Sequence, residues 1–146
     1  MALIVVTGPP AAGKTTWVRA NAQPGDIIID YDRIAQALTV DGADTHRHSR
    51  ILARVTFRAR SAAINEALRV CDRADVYLIH SAPRPDALAR YHQHGARIIT
   101  IDPGEHTVRA RVQADRPATA NKAVTRWYAT RTTDTEHTNP QASRQW

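Results

Sequence analysis

Residues 2 to 16 read Ala2-Leu3-Ile4-Val5-Val6-Thr7-Gly8-Pro9-Pro10-Ala11-Ala12-Gly13-Lys14-Thr15-Thr16, an apolar run that opens into the pattern G-x-x-x-x-G-K-[ST]. An unbroken apolar run is what a parallel strand covered on both faces requires, since neither side of it meets water. The pattern behind it is a phosphate-binding loop. Gly8 and Gly13 let the backbone curl so that successive N–H groups converge on an anion, and Pro9, Pro10, Ala11 and Ala12 form the curl between them. Lys14 is then expected to reach the β- and γ-phosphates of a nucleoside triphosphate, and the Thr15 hydroxyl to ligate Mg²⁺. Thr16 to Ala22 continue as a helix whose positive N-terminal end faces the phosphates. The expected cofactors are ATP, or another nucleoside triphosphate, and Mg²⁺.

The chain has 146 residues, of which 42% are hydrophobic, enough for one core and too few for a second catalytic domain. No apolar segment approaches the length that spans a bilayer, so a cytoplasmic location without a membrane partner is expected. Cys71 is the only cysteine, which excludes an internal disulfide and a cysteine-based zinc site and leaves it a packing role. Lys and Arg number 20 against 14 Asp and Glu, a net charge of +6. Arginine carries nearly all of it, and its planar fork suits phosphate oxygens, so nucleic acid is the expected partner; no protein partner is implied. A GC-rich genome is the alternative source of such a composition.

Strand-like and helix-like segments alternate beyond the loop. Ile27-Ile28-Ile29 ends at Asp30, a short helix is expected over 32–38, and a loop over 40–44. A long helix is expected from about His46 to Val70, a third strand over 74–80, and a helix after Pro83 and Pro85 that runs to His94. A fourth strand spans 96–101, closed by Asp102-Pro103-Gly104, and two more helices lie near 105–114 and 119–131. The domain is therefore placed at 1–131, with 132–146 a polar, unstructured tail. Strands separated by helices argue for an α/β fold, a parallel sheet covered on both faces with its site along the C-terminal strand edge.

Asp30, Asp32, Arg33, His80, Ser81 and Asp102 fall at that edge. Phosphoryl transfer to a hydroxyl needs a carboxylate to accept the proton, a role assigned to Asp32, and an acid near the metal, assigned to Asp30. Asp32 also suits the N-cap of a helix starting at Arg33. Arg109, Arg111 and Arg116 lie on a basic helix before Pro117 that would make a lid, and Arg111 and Arg116 are the choices for stabilising charge on the transferred group. Arg33, His80 and Ser81 are candidate acceptor contacts. So are Arg47, Arg50 and Arg54, which recur with Arg58, Asn65 and Arg69 at helical spacing as a track for phosphates or an ordinary solvated face. His46 with His48, and His92 with His94, are each two apart, which in a helix separates the rings, so all four read as surface histidines.

Gly13-Lys14-Thr15-Thr16-Trp17, Asp30-Tyr31-Asp32-Arg33, Ile101-Asp102-Pro103, Arg111 with Arg116, and Lys122-Ala123-Val124-Thr125-Arg126-Trp127-Tyr128 occur in the order and separations of a known family. In these segments the chain resembles the P-loop kinases related to bacteriophage polynucleotide 5′-hydroxyl kinase. In its loop and layout it is also similar to phage hydroxymethyluracil DNA kinases. The resemblance implies a P-loop NTPase fold of the nucleotide-kinase kind with an arginine-bearing lid, Asp32 as general base, and transfer of a γ-phosphoryl group to a nucleic-acid hydroxyl. His80-Ser81 stands where that family ends its third strand with an aspartate. A small-molecule kinase or a non-catalytic nucleotide-binding module would share much of the same set.

Overall fold

The computed structural model describes residues 1–131; the expected tail, 132–146, lies outside the described residues. Five buried residues, Leu3–Thr7, form β1, and the chain turns at Gly8 into the phosphate loop. Helix α1 spans Lys14–Asn21, β2 Ile27–Ile29, α2 Tyr31–Ala37, α3 Arg50–Val70 and β3 Val76–Ile79. The remainder is α4 (Pro85–Gln93), β4 (Arg97–Thr100), α5 (Glu105–Asp115) and α6 (Thr119–Arg131). The strands form one sheet in the order β2-β3-β1-β4, and every pairing in it is parallel. A strand flanked on both sides by parallel neighbours must be apolar on both faces, which is why β1 carries no alternation.

Successive β1 residues feed two cores. Leu3 and Val5 pack with Ile64, Ala67 and Leu68 of α3 and Tyr91 of α4. Ile4 and Val6 pack with Ala12, Val18 of α1 and Ile101 on the opposite face. The sheet is thus covered on both sides, and Cys71 packs at the edge of the first cluster. A third cluster, Val108, Val112 and Val124, joins α5 to α6 and rests on Ala11 of the phosphate loop. That contact sets the arginine-bearing helix pair beside the loop.

The long helix begins later than expected, at Arg50 and not near His46. Ser49 supplies the reason: its hydroxyl accepts from the Leu52 amide at 3.1 Å and caps the helix there. No helix among the described residues is long and apolar enough to cross a membrane.

Candidate active site

The phosphate loop is held in shape from three sides. Gly8 has φ 145°, and a Cβ there would run into the Ile101 carbonyl, so glycine is required by both angle and space. Its amide donates to the Ser81 carbonyl at 3.1 Å, tying the loop to the end of β3. Ala11 holds φ 58° without being glycine, a conformation that costs on the order of 1 kcal/mol and clusters at functional sites. Helix α1 starts at Gly13 with no side-chain cap and no acid in its first turn. The first-turn amides of Lys14, Thr15 and Thr16 therefore point at the cleft as an anion-binding end. Lys14 is buried, and its Nζ donates to the carbonyls of Gly8 at 2.9 Å and Pro9 at 2.6 Å. Burial, reinforced by Arg116 and partly offset by Asp30 and Asp32, pulls its pKa down to about 8.

Asp30, and not Asp32, is the N-cap of α2. Its Oδ1 accepts from the Asp32 amide at 3.2 Å, and its Oδ2 accepts from the Thr15 hydroxyl, also at 3.2 Å. The two oxygen donors assigned to the metal therefore lie side by side at the mouth of the loop, a set of hard oxygens suited to Mg²⁺. This geometry also frees the Asp32 carboxylate from capping.

Around Asp32 the structure departs from the sequence reading. His46 and His48 are not scattered surface residues: His46 Nδ1 lies 3.5 Å from Asp32 Oδ2, and His48 Nε2 lies 3.5 Å from Asp32 Oδ1. Arg116 Nη1 is 3.9 Å from the same Oδ2 and donates to His46 Nδ1 at 2.7 Å. The His48 contact is one of ionic distance only, since neither of its ring nitrogens makes a hydrogen bond. Two caps build the loop that carries the histidines: Asp44 Oδ1 accepts from the amides of His46 and Arg47, at 2.8 and 3.1 Å, and Ser49 caps α3. Outside a helix, side chains two residues apart can share a side, and here both rings turn to Asp32. Among the described residues no cluster of histidine, cysteine and acid has the arrangement of a metal centre.

Lys14, Thr15, Asp30, Asp32, His80, Ser81, Arg111 and Arg116 line one cleft of about 760 Å³. Arg111 is anchored to the loop through a 3.2 Å hydrogen bond to the Ala11 carbonyl. Arg109 is committed elsewhere, to Glu105 at 2.7 Å and to Thr125 at 3.2 Å. His80 donates to or accepts from Tyr91 Oη through Nδ1 at 2.9 Å. Its burial, with Arg60 nearby, lowers its pKa to about 4 and keeps the ring neutral. Asp102 does not line the cleft; it accepts from Tyr128 Oη at 2.6 Å, and burial together with this bond raises the Tyr128 pKa. Arg33, Arg47, Arg50 and Arg54 are likewise outside the cleft, all exposed, and Arg47 lies 3.8 Å from Asp44.

Arg60 was not among the candidates read from the sequence, yet it lines the cleft from α3. Its signal was an offset: two residues beyond Arg58 it points about 200° around the helix from the exposed arginines. His46 carried no such signal, because its position depends on where Ser49 starts the helix.

A parallel sheet whose central strand runs into a glycine-rich loop, a lysine buried in that loop, and a Thr15–Asp30 pair at its mouth define a P-loop NTPase. Residues 3–133 match the model of an AAA domain family, and the chain belongs to that family. The family includes kinases, and its P-loop implies nucleotide binding with a divalent metal in general. Comparison with curated proteins finds no match.

Proposed function

We propose that the chain is an ATP- and Mg²⁺-dependent kinase that phosphorylates a hydroxyl of a nucleic acid, either a polynucleotide 5′-hydroxyl or a hydroxymethylated base in DNA. The observation that carries this reading is the uncapped Asp32 carboxylate in the cleft that also contains Lys14, Arg111 and Arg116. A nucleotide-binding module needs the loop and lysine; it has no use for a carboxylate faced by two histidines and an arginine.

ATP held with Mg²⁺ supplies the γ-phosphoryl group, whose bond to the β-phosphate bridging oxygen breaks as the bond to the acceptor oxygen forms. Lys14 and the first-turn amides hold the phosphates, and Thr15 with Asp30 would hold the metal and its water. Asp32 takes the acceptor's proton, and Arg111 with Arg116 neutralises charge on the group in flight. His80, kept neutral, offers the acceptor a hydrogen-bonding edge without a competing charge.

The likeness to phage polynucleotide kinases and the net charge of +6 support a nucleic-acid acceptor. Phe57 stands 59% exposed on α3, the helix that also carries Arg50, Arg54 and Arg58, but one ring alone does not make a base-stacking surface. A small-molecule acceptor is the second reading, favoured by the absence of Arg47, Arg50 and Arg54 from the cleft wall. A transfer screen with labelled ATP against DNA, RNA, hydroxymethylated DNA and nucleosides separates the two. Nucleic-acid affinity should also fall with salt at a log–log slope of about −0.7 to −0.9 per phosphate contacted, and replacing Arg50 and Arg54 with Gln should flatten it by roughly one to two units. A flat salt response with labelled nucleosides as products would establish the small-molecule reading.

A further inference from the structure

His48 carries two ring nitrogens that are buried and without a hydrogen-bond partner, on a side chain only 8% exposed. Its neighbours Arg47 and Ser49 are exposed, so the ring is turned inward from a stretch that otherwise faces solvent. Ser49 caps α3, which makes His48 the residue before the cap, where an apolar side chain ordinarily staples the first turn. A leucine would fill such a place without leaving two polar atoms unanswered in the interior. What the imidazole has instead is a position. Its ring lies 6.0 Å from that of Tyr31, centroid to centroid, and its Nε2 is 3.5 Å from Asp32 Oδ1. Tyr31 is itself tied to α3 through its hydroxyl, which donates to the Ala53 carbonyl at 3.3 Å.

Three groups face the Asp32 carboxylate, and among the described residues none hydrogen-bonds either oxygen. His46 has nothing to donate there, because its Nδ1, the nitrogen 3.5 Å from Oδ2, already takes a hydrogen from Arg116 and so bears none. Arg116 stands 3.9 Å away and is assigned to the charge on the transferred group. His48 is left as the donor. Its 3.5 Å separation exceeds the usual N–H···O range of about 2.7–3.2 Å by an amount that a small turn of ring or carboxylate removes. We propose that His48 is a positioning residue for the general base: its Nε2–H donates to Asp32 Oδ1 and so presents Oδ2 to the acceptor hydroxyl. The inference rests on the kinase reading for the proton that Oδ2 receives. His48 itself neither gains nor loses a proton; the acceptor's O–H bond breaks toward Oδ2 while its oxygen bonds the γ-phosphorus.

The test measures single-turnover transfer and melting temperature for wild type, His48→Leu and His48→Gln, with the acceptor that the transfer screen identifies. His48→Leu should lower the transfer rate roughly ten- to a hundredfold, the scale for a misaligned reactive group, with ATP affinity within about twofold of wild type. Its melting temperature should equal or exceed that of wild type, since two unpartnered nitrogens leave the interior. A purely structural histidine would behave the other way, losing stability at a constant rate. His48→Gln places an amide N–H near the position of Nε2 and should recover most of the rate. If wild type labels no acceptor, the kinase reading has failed separately, and NMR of the full histidine-labelled chain decides the contact, as it does if His48→Leu does not fold. A His48 Nε2–H proton that resonates downfield in wild type and moves upfield in Asp32→Ala upholds the bond. Transfer at the wild-type rate in His48→Leu, a Gln variant as slow as Leu, or a ring resonance indifferent to Asp32→Ala would overturn it.

Discussion

His46 Nδ1 accepts a 2.7 Å hydrogen bond from Arg116 Nη1 across 70 residues of chain. Guanidinium has no acceptor, so this nitrogen must present a lone pair and the ring proton must sit on Nε2. His46 therefore joins the loop before α3 to the end of α5, and aims the arginine whose other neighbour is Asp32. The relationship assigns His46 a positioning role.

Replacing His46 with Ala is expected to lower kcat roughly ten- to a hundredfold, the scale for loss of orientation, with little change in the KM for ATP. His46→Gln keeps an acceptor in reach of Arg116 and should recover most of the rate. Steady-state kinetics check this, and a Gln variant as impaired as Ala would contradict the acceptor role.

Lys14 trades stability for function. Its folded pKa of about 8 lies below the 10.5 of an unperturbed lysine, so the unfolded chain binds more protons between those values. Stability should rise as pH increases from about 8 to about 10.5, and burying the charge at neutral pH costs of the order of 1–3 kcal/mol once its two carbonyl bonds are credited. Lys14→Met should abolish ATP binding and turnover while raising the neutral-pH melting temperature. Loss of both stability and binding would show the carbonyl bonds to dominate.

His80 titrates with the same sign in an acidic window. Its folded pKa of about 4 against an ordinary 6.5 means that the unfolded chain takes up the proton first as pH falls. The stabilising contribution is complete above about pH 6.5 and is lost as pH drops toward 4, amounting to about 2 kcal/mol after discounting for solvent contact. Urea unfolding at pH 7 and pH 4.5 should show a smaller drop for His80→Gln than for wild type; equal drops would remove His80 as the source.

Local signals made the phosphate loop, β1 and the carboxylates after β2 legible, because Gly8, Gly13 and the run Leu3 to Val6 each fix backbone or burial without outside help. Pairing was harder to read where a distant residue decides it. Asp102 resembles an edge carboxylate until Tyr128 is seen to occupy it. His46 and His48 read as separated rings on the assumption of a helix that Ser49 starts only at Arg50. Arg33 follows Asp32 in sequence, but α2 turns it to solvent.

The proposed role of Asp32 as general base in phosphoryl transfer is tested most directly by single-turnover transfer from labelled ATP to an acceptor identified in the screen, comparing wild type with Asp32→Asn at matched nucleotide occupancy. General-base loss predicts ATP affinity within about twofold of wild type and a transfer rate lower by roughly two to four orders of magnitude. An Asp32→Asn chain that transfers the label at the wild-type rate would contradict the account.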